Sequence, residues 1–540
     1  MSAASPAAST GPGRAGSEET TTPVTPATPV TAATPEDVGA PETAGVLENA
    51  GAPGPQAPTG QEAPRGVAVL VLDGAPQEVE ATTASTRVVS SPADELHVCT
   101  TWGQGARRTE APYALLLRAG DRLEPGSLRA LEGFARARSA QVLTADRIEQ
   151  GSIRRCPRFS LRLLEQLPYA GRALLVSTEL LREVTGSGQE PSSAPSEGGA
   201  PEALGGATEW DLQLRLVDAA GVVEHCPVVA VNQASPVRAG TLADRLAAVR
   251  RHLERQGRSG ETVRPGPTGL PRVLPRRPRE HRVSVVVPTA FTRRDLADAG
   301  PRVLVEALVA ALDQTTGGVD CEIVLVVDEA APEAAIEACR ALWHGPLRVA
   351  RTRGGFNFSR AINAGVAEAR GDVVLLLNDD IEPVRPGWIQ DMLAALDLPG
   401  VGAVGARLLF DDGGIQHLGV VCPPTILPTH PRLHEPDDPT DPLAQADVEY
   451  LAVTGACLMY RRADHEAVDG WNEDLPLNFN DTDFCLRLAG RGTAIVCVNS
   501  VRLVHRESST RQARTLDSEA AALAPWVDFM ATDPHIEYWG

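Results

Sequence analysis

A chain of 540 residues is too long for one ordinary core and implies two or three domains. Its composition, 43% hydrophobic and 22% charged, is close to the globular average, so most of it can bury a core. The formal net charge is -20, with arginine in every Lys/Arg position and no basic cluster, which argues against nucleic acid as a partner.

Residues 1–65 are Ala, Pro, Thr, Gly and Glu with almost no large apolar side chain, and they read as a disordered tail whose removal costs no core. From Arg65 onward short β-like runs alternate with amphipathic stretches: Val67–Leu72 and Tyr113–Leu117 as strands, Leu128–Ala137 as a helix. This pattern predicts an α/β domain over 66–235, interrupted by a Gly, Pro, Ser and Glu insertion at 186–206. Helical spacing over Leu242–Gln256 and a Pro/Arg-rich segment, Pro265–Pro278, predict a junction over 236–280.

A second domain is expected over 281–515, with a helical tail over 516–540. Val283–Thr289 reads as a buried strand ending in a Pro turn, and Glu322–Asp328 as a strand ending in a carboxylate. With a helix-length segment between them they predict a βαβ unit, whose ligand crevice lies at the carboxyl ends of the strands. A third strand, Val373–Leu377, runs directly into Asn378-Asp379-Asp380. Adjacent carboxylates repel unless a cation neutralises them, and oxygen ligands suit Mg²⁺ or Mn²⁺, although Asn-Asp-Asp is also ordinary turn chemistry. Downstream, the spacing of Asp483, Leu486 and Arg487 places Asp481 near a helix N-terminus, and His505 ends an apolar strand.

Several ordered blocks of this region resemble the family-2 glycosyltransferases of GT-A fold, especially the rhamnosyltransferase-like members. They are Pro288-Thr289, Asp328, Phe356-Asn357-Phe358-Ser359-Arg360 running to Asn363-Ala364-Gly365, Asn378-Asp379-Asp380, Gln416-His417-Leu418-Gly419, Thr454-Gly455-Ala456-Cys457, and Phe479-Asn480-Asp481 with His505. The resemblance implies that Thr289, Asp328, Asn363 and Arg511 hold the nucleotide diphosphate, that Asp379 contacts the ribose or the metal, and that Asp380 and His505 ligate Mn²⁺ or Mg²⁺. It implies that Asp481 is the catalytic base and that Trp471 and Asp483 lie beside the acceptor. The first loop, Thr289-Ala290-Phe291, and the Glu329-Ala330 that follows Asp328 depart from the family pattern, which leaves base recognition open. Trp471 sits in Asp469-Gly470-Trp471-Asn472-Glu473, where the family's acceptor motif differs.

Residues 66–235 resemble the same family more weakly. Leu117-Arg118-Ala119-Gly120-Asp121 stands in the place of the acidic motif, Glu209 in the place of the base, and Asn232 where the histidine is expected. The fold expected is therefore α/β, two GT-A domains with Rossmann-like, mostly parallel sheets in tandem, the first one degenerate.

The function implied is an inverting, metal-dependent, non-processive glycosyltransferase of polysaccharide biosynthesis. Its donor would be a UDP- or dTDP-sugar and its acceptor a glycan or a lipid-linked glycan. Nine scattered cysteines without a C-x-x-C pair, apolar runs far shorter than the roughly 20 residues of a membrane helix, and the lack of a signal-like N-terminus predict a cytoplasmic protein. A peripheral contact at the inner face of the plasma membrane is compatible with that. The rival class is a non-catalytic scaffold or glycan-binding protein with two decayed domains. A nucleotidyltransferase is disfavoured, because no phosphate-cradling Gly-rich loop with Lys is present.

Overall fold

Strand-forming runs in the chain assemble into two large sheets. The computed structural model describes residues 66–172, 174–186, 209–237, 240–296, 300–423, 427–506 and 517–535. The expected tail 1–65, most of the 186–206 insertion, and Arg511 lie outside the described residues.

The first sheet is built from β1 (Val67–Leu72), β2 (Glu95–Cys99), β3 (Tyr113–Arg118), β4 (Arg122–Leu123), β5 (Val142–Glu149), β6 (Ser152–Arg154), β7 (Leu174–Ser177) and β8 (Val223–Gln233), in the order β2-β1-β3-β7-β5-β8-β4 with β6 on β5. A hairpin of β9 (Glu261–Pro265) and β10 (Pro271–Pro275) follows. After β11 (Arg282–Pro288), a second small hairpin pairs β12 (Arg293–Leu296) with β13 (Gly300–Val303). The remaining strands are β14 (Asp320–Asp328), β15 (Leu347–Thr352), β16 (Val373–Leu377), β17 (Ile381–Pro383), β18 (Val401–Leu409), β19 (Ile415–His417), β20 (Val448–Tyr450), β21 (Cys457–Arg461) and β22 (Ala494–His505). With β11 they form the second sheet, in the order β15-β14-β11-β16-β21-β18-β22-β17, with β19 on β18 and β20 on β22.

The two sheets repeat one plan. β1 pairs in parallel with β2 and β3, as β11 does with β14 and β16. β7 runs antiparallel between β3 and β5, as β21 does between β16 and β18. β5–β8 and β18–β22 are both parallel pairs with a register shift, and β4 and β17 both end their sheet, antiparallel to β8 and to β22. The α/β class and the tandem of two sheets are thus as expected. Within that mostly parallel plan each sheet also carries antiparallel strands, β7 in the first and β21 in the second. An apolar run such as Cys457–Arg461 reads alike in either direction, so its reversal leaves no mark in the sequence.

Burial explains why these runs are strands. All six residues of β1 and all five of β16 are buried, as central strands covered on both faces must be. The helix Phe358–Glu368 lies close against β11 and β14 because Gly365 has no side chain, and a Cβ there would stand 2.4 Å from Val286 Cγ1. The segment expected as a linker is folded. Val263, Leu270 and Val273 of the β9–β10 hairpin join a core that also contains Trp210 and Tyr169 from the first half and Val285 and Ile389 from the second. Arg272 pins this junction, with Nε 3.0 Å from Asp447 Oδ2 and Nη1 2.7 Å from Asp391 Oδ1. All nine cysteines are free and buried.

Candidate active site

Three strand ends of the second sheet open onto one crevice: Asp328 at the end of β14, Thr289 just after β11, and Asp379-Asp380 just after β16. These residues line a cavity of about 410 Å³ together with Phe356, Arg360 and His505. A second cavity of about 400 Å³ adjoins it, lined by Asp481, Gly455, Thr454, His417, His430 and Leu433 among others. Phe358, Asn378 and His505 line both. The two spaces therefore meet at the strand ends.

His505 is carried by β22, which pairs with β17 so that His505 faces Ile381 across the ladder. Its Nε2 stands 3.0 Å from Asp380 Oδ1. On the other side of the ring, Nδ1 meets Gln416 Oε1, an acceptor only, so the ring proton belongs on Nδ1 and the Nε2 lone pair faces the carboxylate. Asp380 Oδ1 is buried and makes no hydrogen bond. A lone pair facing a carboxylate across 3.0 Å is unfavourable unless a cation or proton lies between them. Two cis ligands of an octahedral ion, each at about 2.1 Å, lie about 3.0 Å apart, so this pair fits one Mg²⁺- or Mn²⁺-like ion. Among the described residues no group of three His, Cys, Asp or Glu side chains converges.

Asp379 sits beside this pair and accepts a hydrogen bond from Thr289 Oγ1 at 2.7 Å. Its carboxyl is raised to about 6, chiefly by burial and also by the neighbouring Asp380, while the Thr289 bond pulls the other way. Asp328 is exposed, and its Oδ1 accepts from the Ala330 amide at 2.8 Å. In the other cavity, Asp481 occupies the first turn of the helix Asn480–Ala489. Its Oδ2 accepts from the Gly455 amide at 2.8 Å and its Oδ1 from the Thr482 amide at 2.7 Å. Both oxygens are thus fixed in place at the cavity wall.

Three residues expected at the site are used elsewhere. Asn363 lines neither cavity. Its Oδ1 accepts from the Trp471 amide at 2.8 Å, and its Nδ2 donates to Trp471 O at 2.9 Å and Glu473 Oε1 at 3.0 Å. The amide fastens the 469–473 turn and has no face left for a nucleotide. Trp471 is 2% exposed, stacked on Phe484 at 5.0 Å between ring centroids and met edge-on by Phe358. It is a core side chain beneath Gly455, not an acceptor contact. Asp483 is buried and held by Arg487 Nε at 2.8 Å, one turn along its helix. Its charge is satisfied internally.

Other lining residues carried no assigned role in the sequence. Gln416 and His417 were visible as a block, yet only the fold shows Gln416 orienting His505. His417 is buried, and that burial holds its pKa well below the ordinary imidazole range, with His430 and His505 adding to the effect. Its Nε2 accepts from the Thr454 amide at 3.3 Å, and its Nδ1 meets His430 Nδ1 at 2.9 Å. His430 and Leu433 come from an irregular stretch with no periodicity to mark them.

In the first sheet the equivalent place holds arginine. Asp121 accepts from the amides of Arg118 and Ala234 at 3.0 and 2.9 Å, and Arg172 Nε stands 3.3 Å from it. Glu209 is paired with Arg118 Nε, and Arg172 Nη1 lies 3.7 Å from it. All four side chains are buried, so two carboxylates and two guanidinium groups neutralise each other.

Residues 284–467 match the family model described as Glycosyl transferase family 2. Among curated proteins, the chain is 31% identical over 458 residues to the O-antigen biosynthesis protein RfbC of Myxococcus xanthus, covering 79% of this chain and 34% of that protein. It is 28% identical over 448 residues to the uncharacterized protein y4gI of Sinorhizobium fredii (strain NBRC 101917 / NGR234), covering 77% and 46%. The chain thus spans about a third of one relative and less than half of the other. Similar solved structures include GalNAc-T7 with UDP, GalNAc and Mn²⁺, at TM-score 0.37 and 15% identity over 47% of this chain and 49% of that one. Another is the mannosyltransferase PcManGT of Pyrobaculum calidifontis with GDP-Man and Mn²⁺, at TM-score 0.31 and 18% identity over 49% and 64%. On the family match and the sequence relatives, the chain carries a family-2 glycosyltransferase domain.

Proposed function

We propose that this chain is an inverting, metal-dependent, non-processive glycosyltransferase that moves one sugar from a nucleotide-diphosphate donor to a glycan or lipid-linked acceptor, in polysaccharide biosynthesis. The observation that carries the reading is the placement of the Asp380–His505 pair, 3.0 Å apart, where a cavity edged by strand-end carboxylates meets a cavity edged by Asp481. The similarity to an O-antigen biosynthesis protein supports the same reading.

In this account Thr289, Asp328 and Asp379 edge the donor pocket, and Asp380 and His505 hold the divalent ion. Bound there, Mn²⁺ or Mg²⁺ would neutralise charge developing on the leaving diphosphate. Asp481 takes the proton of the acceptor hydroxyl as that oxygen bonds to the anomeric carbon and the bond to the diphosphate breaks on the opposite face. One displacement inverts the anomeric centre. Gln416 keeps His505 in the required tautomer, and Asn363 holds the turn that backs the acceptor pocket. UDP- and dTDP-sugars are the first donors to try.

The two-domain division belongs to this proposal: a degenerate, non-catalytic domain over 66–235, a junction over 236–280, and the catalytic domain over 281–515. The buried Asp121, Arg172, Glu209 and Arg118 cluster favours the non-catalytic reading for the first half, because its carboxylates are already neutralised. No helix among the described residues is long and apolar enough to cross a membrane. A peripheral contact at the inner membrane face is part of the proposal only through the lipid-linked acceptor. The test is release of nucleoside diphosphate from a panel of nucleotide sugars by the purified chain with Mn²⁺. Release from at least one donor is expected; the absence of both release and nucleoside diphosphate binding across the panel would sink the proposal.

A further inference from the structure

The donor pocket has a polar floor of carboxylates, but a nucleobase needs a flat apolar partner. The loop after β11 carries one ring near the cavity, Phe291, which follows Thr289-Ala290. That ring is turned away. Phe291 has φ +55°, packs against the core and does not line the cavity, whereas Ala290 and Thr292 on either side of it do. Phe358 lines the cavity but is buried and set edge-on to Trp471, 6.0 Å between centroids. Phe356 remains. It lines the same cavity and is 68% exposed, the only aromatic among the exposed large hydrophobic side chains of the described residues.

The loop that carries Phe356 is tied down on all sides. Gly354 takes φ +86°, which a side chain would resist. Arg353 reaches 2.7 Å to Glu329, just past Asp328, in a solvent-exposed ion pair. Arg360 Nη2 donates to Gly355 O at 2.6 Å. Asn357 accepts from the Arg360 amide at 2.9 Å and donates to Glu473 O at 2.8 Å, which fixes the start of the next helix. The loop therefore leaves one aromatic ring in water beside the strand-end carboxylates of the same cavity.

We infer that Phe356 is the stacking platform for the nucleobase of the donor, taking the place that the first loop leaves without a ring. The inference rests on the proposal that this cavity holds a nucleotide. Stacking uses the π-face that every base has, so Phe356 supplies affinity without choosing the base. The consequence is a loop that binds the nucleoside end while Asp379, Asp380 and His505 serve the diphosphate end.

The test compares full-length wild type with Phe356→Ala and Phe356→Trp, by calorimetry with Mn²⁺ and four probes: UDP, GDP, dTDP and inorganic pyrophosphate. Phe356→Ala should weaken all three nucleotides by about 5- to 150-fold and leave pyrophosphate unchanged, since pyrophosphate has no base. Phe356→Trp should bind nucleotides at least as well as wild type, with its indole fluorescence quenched on binding. Equal nucleotide affinity in wild type and Phe356→Ala overturns this inference alone. A matching loss for pyrophosphate also overturns it, because the ring would then be acting through the loop's fold. A wild-type chain that binds no nucleotide overturns both the inference and the donor-pocket reading beneath it.

Discussion

Asn232 and His505 occupy the same position in two sheets. His505 faces Ile381, the first residue of β17, and Asn232 faces Arg122, the first residue of β4. Stepping back one residue from each partner gives Asp380 in one sheet and Asp121 in the other. The helices that precede these two strands agree, because Asp211–Arg215 and Asp483–Arg487 are the same one-turn ion pair, which sets Glu209 in the place of Asp481. One plan has thus been kept in both halves while its chemistry has diverged. In the second half a histidine and an aspartate face each other across 3.0 Å, and in the first half Arg172 stands beside the aspartate.

Glu209→Gln tests that divergence. Gln removes the counter-charge of Arg118 inside a buried cluster, so stability should fall by about 1–3 kcal/mol, read as a lower urea midpoint. Turnover per folded molecule should not change. Loss of transfer with the fold intact would make the first half catalytic.

Removal of metal tests the pair at the second site. EDTA should abolish transfer, and Mn²⁺ or Mg²⁺ should restore it. Gln416→Ala leaves both proposed ligands in place but frees the His505 ring, so metal affinity should drop by about 10- to 100-fold. His505→Ala should weaken metal and nucleoside diphosphate binding together. Full activity in EDTA would remove the metal from the account.

Trp471→Ala should behave as a core deletion. The indole is stacked on Phe484 and its Nε1 donates to Tyr460 Oη at 3.3 Å, so about 3–5 kcal/mol of stability is expected to be lost. An acceptor contact would instead raise the acceptor KM with the unfolding midpoint unchanged.

Acid should destabilise the fold below neutral pH. Burial lowers His465 and His535 from the ordinary 6.5 to about 4, so the folded state binds their protons less readily than the unfolded chain does. Their contribution is fully present above pH 6.5 and is lost as pH falls toward 4, by roughly 3 kcal/mol per group at most. His252 works the other way: burial disfavours its charge, but Asp218 and Glu165 outweigh that and raise its pKa, so its contribution fades as pH rises. Chemical denaturation at pH 7.0 and 5.0 should show the loss on the acid side, and His465→Gln should shrink it. An unchanged difference in that variant would contradict the assignment to His465.

Strand-end carboxylates were legible in the sequence because apolar runs such as Val373–Leu377 stop abruptly at Asp379-Asp380, and the fold puts those ends where a βαβ unit says they belong. His505 and Asp481 were legible through their neighbours, one ending an apolar strand and one opening a helix. Asn363, Trp471 and Asp483 misled for a common reason. Each lies in a recurring block close to the site in sequence, and only packing shows that their polar atoms are consumed by the 469–473 turn, the aromatic core and Arg487. The roles of Gln416, His430 and Phe356 depend on contacts across 89 residues in one case and on cavity lining in the others, which no local pattern encodes.

The most direct measurement of the central claim is Asp481→Asn. The substitution keeps size and leaves an amide oxygen to accept from the Gly455 backbone, but removes the group that takes the proton. Nucleoside diphosphate binding should match wild type, while transfer falls by about a hundredfold or more, the usual worth of a general base. Transfer at the wild-type rate by a folded Asp481→Asn chain would contradict the account.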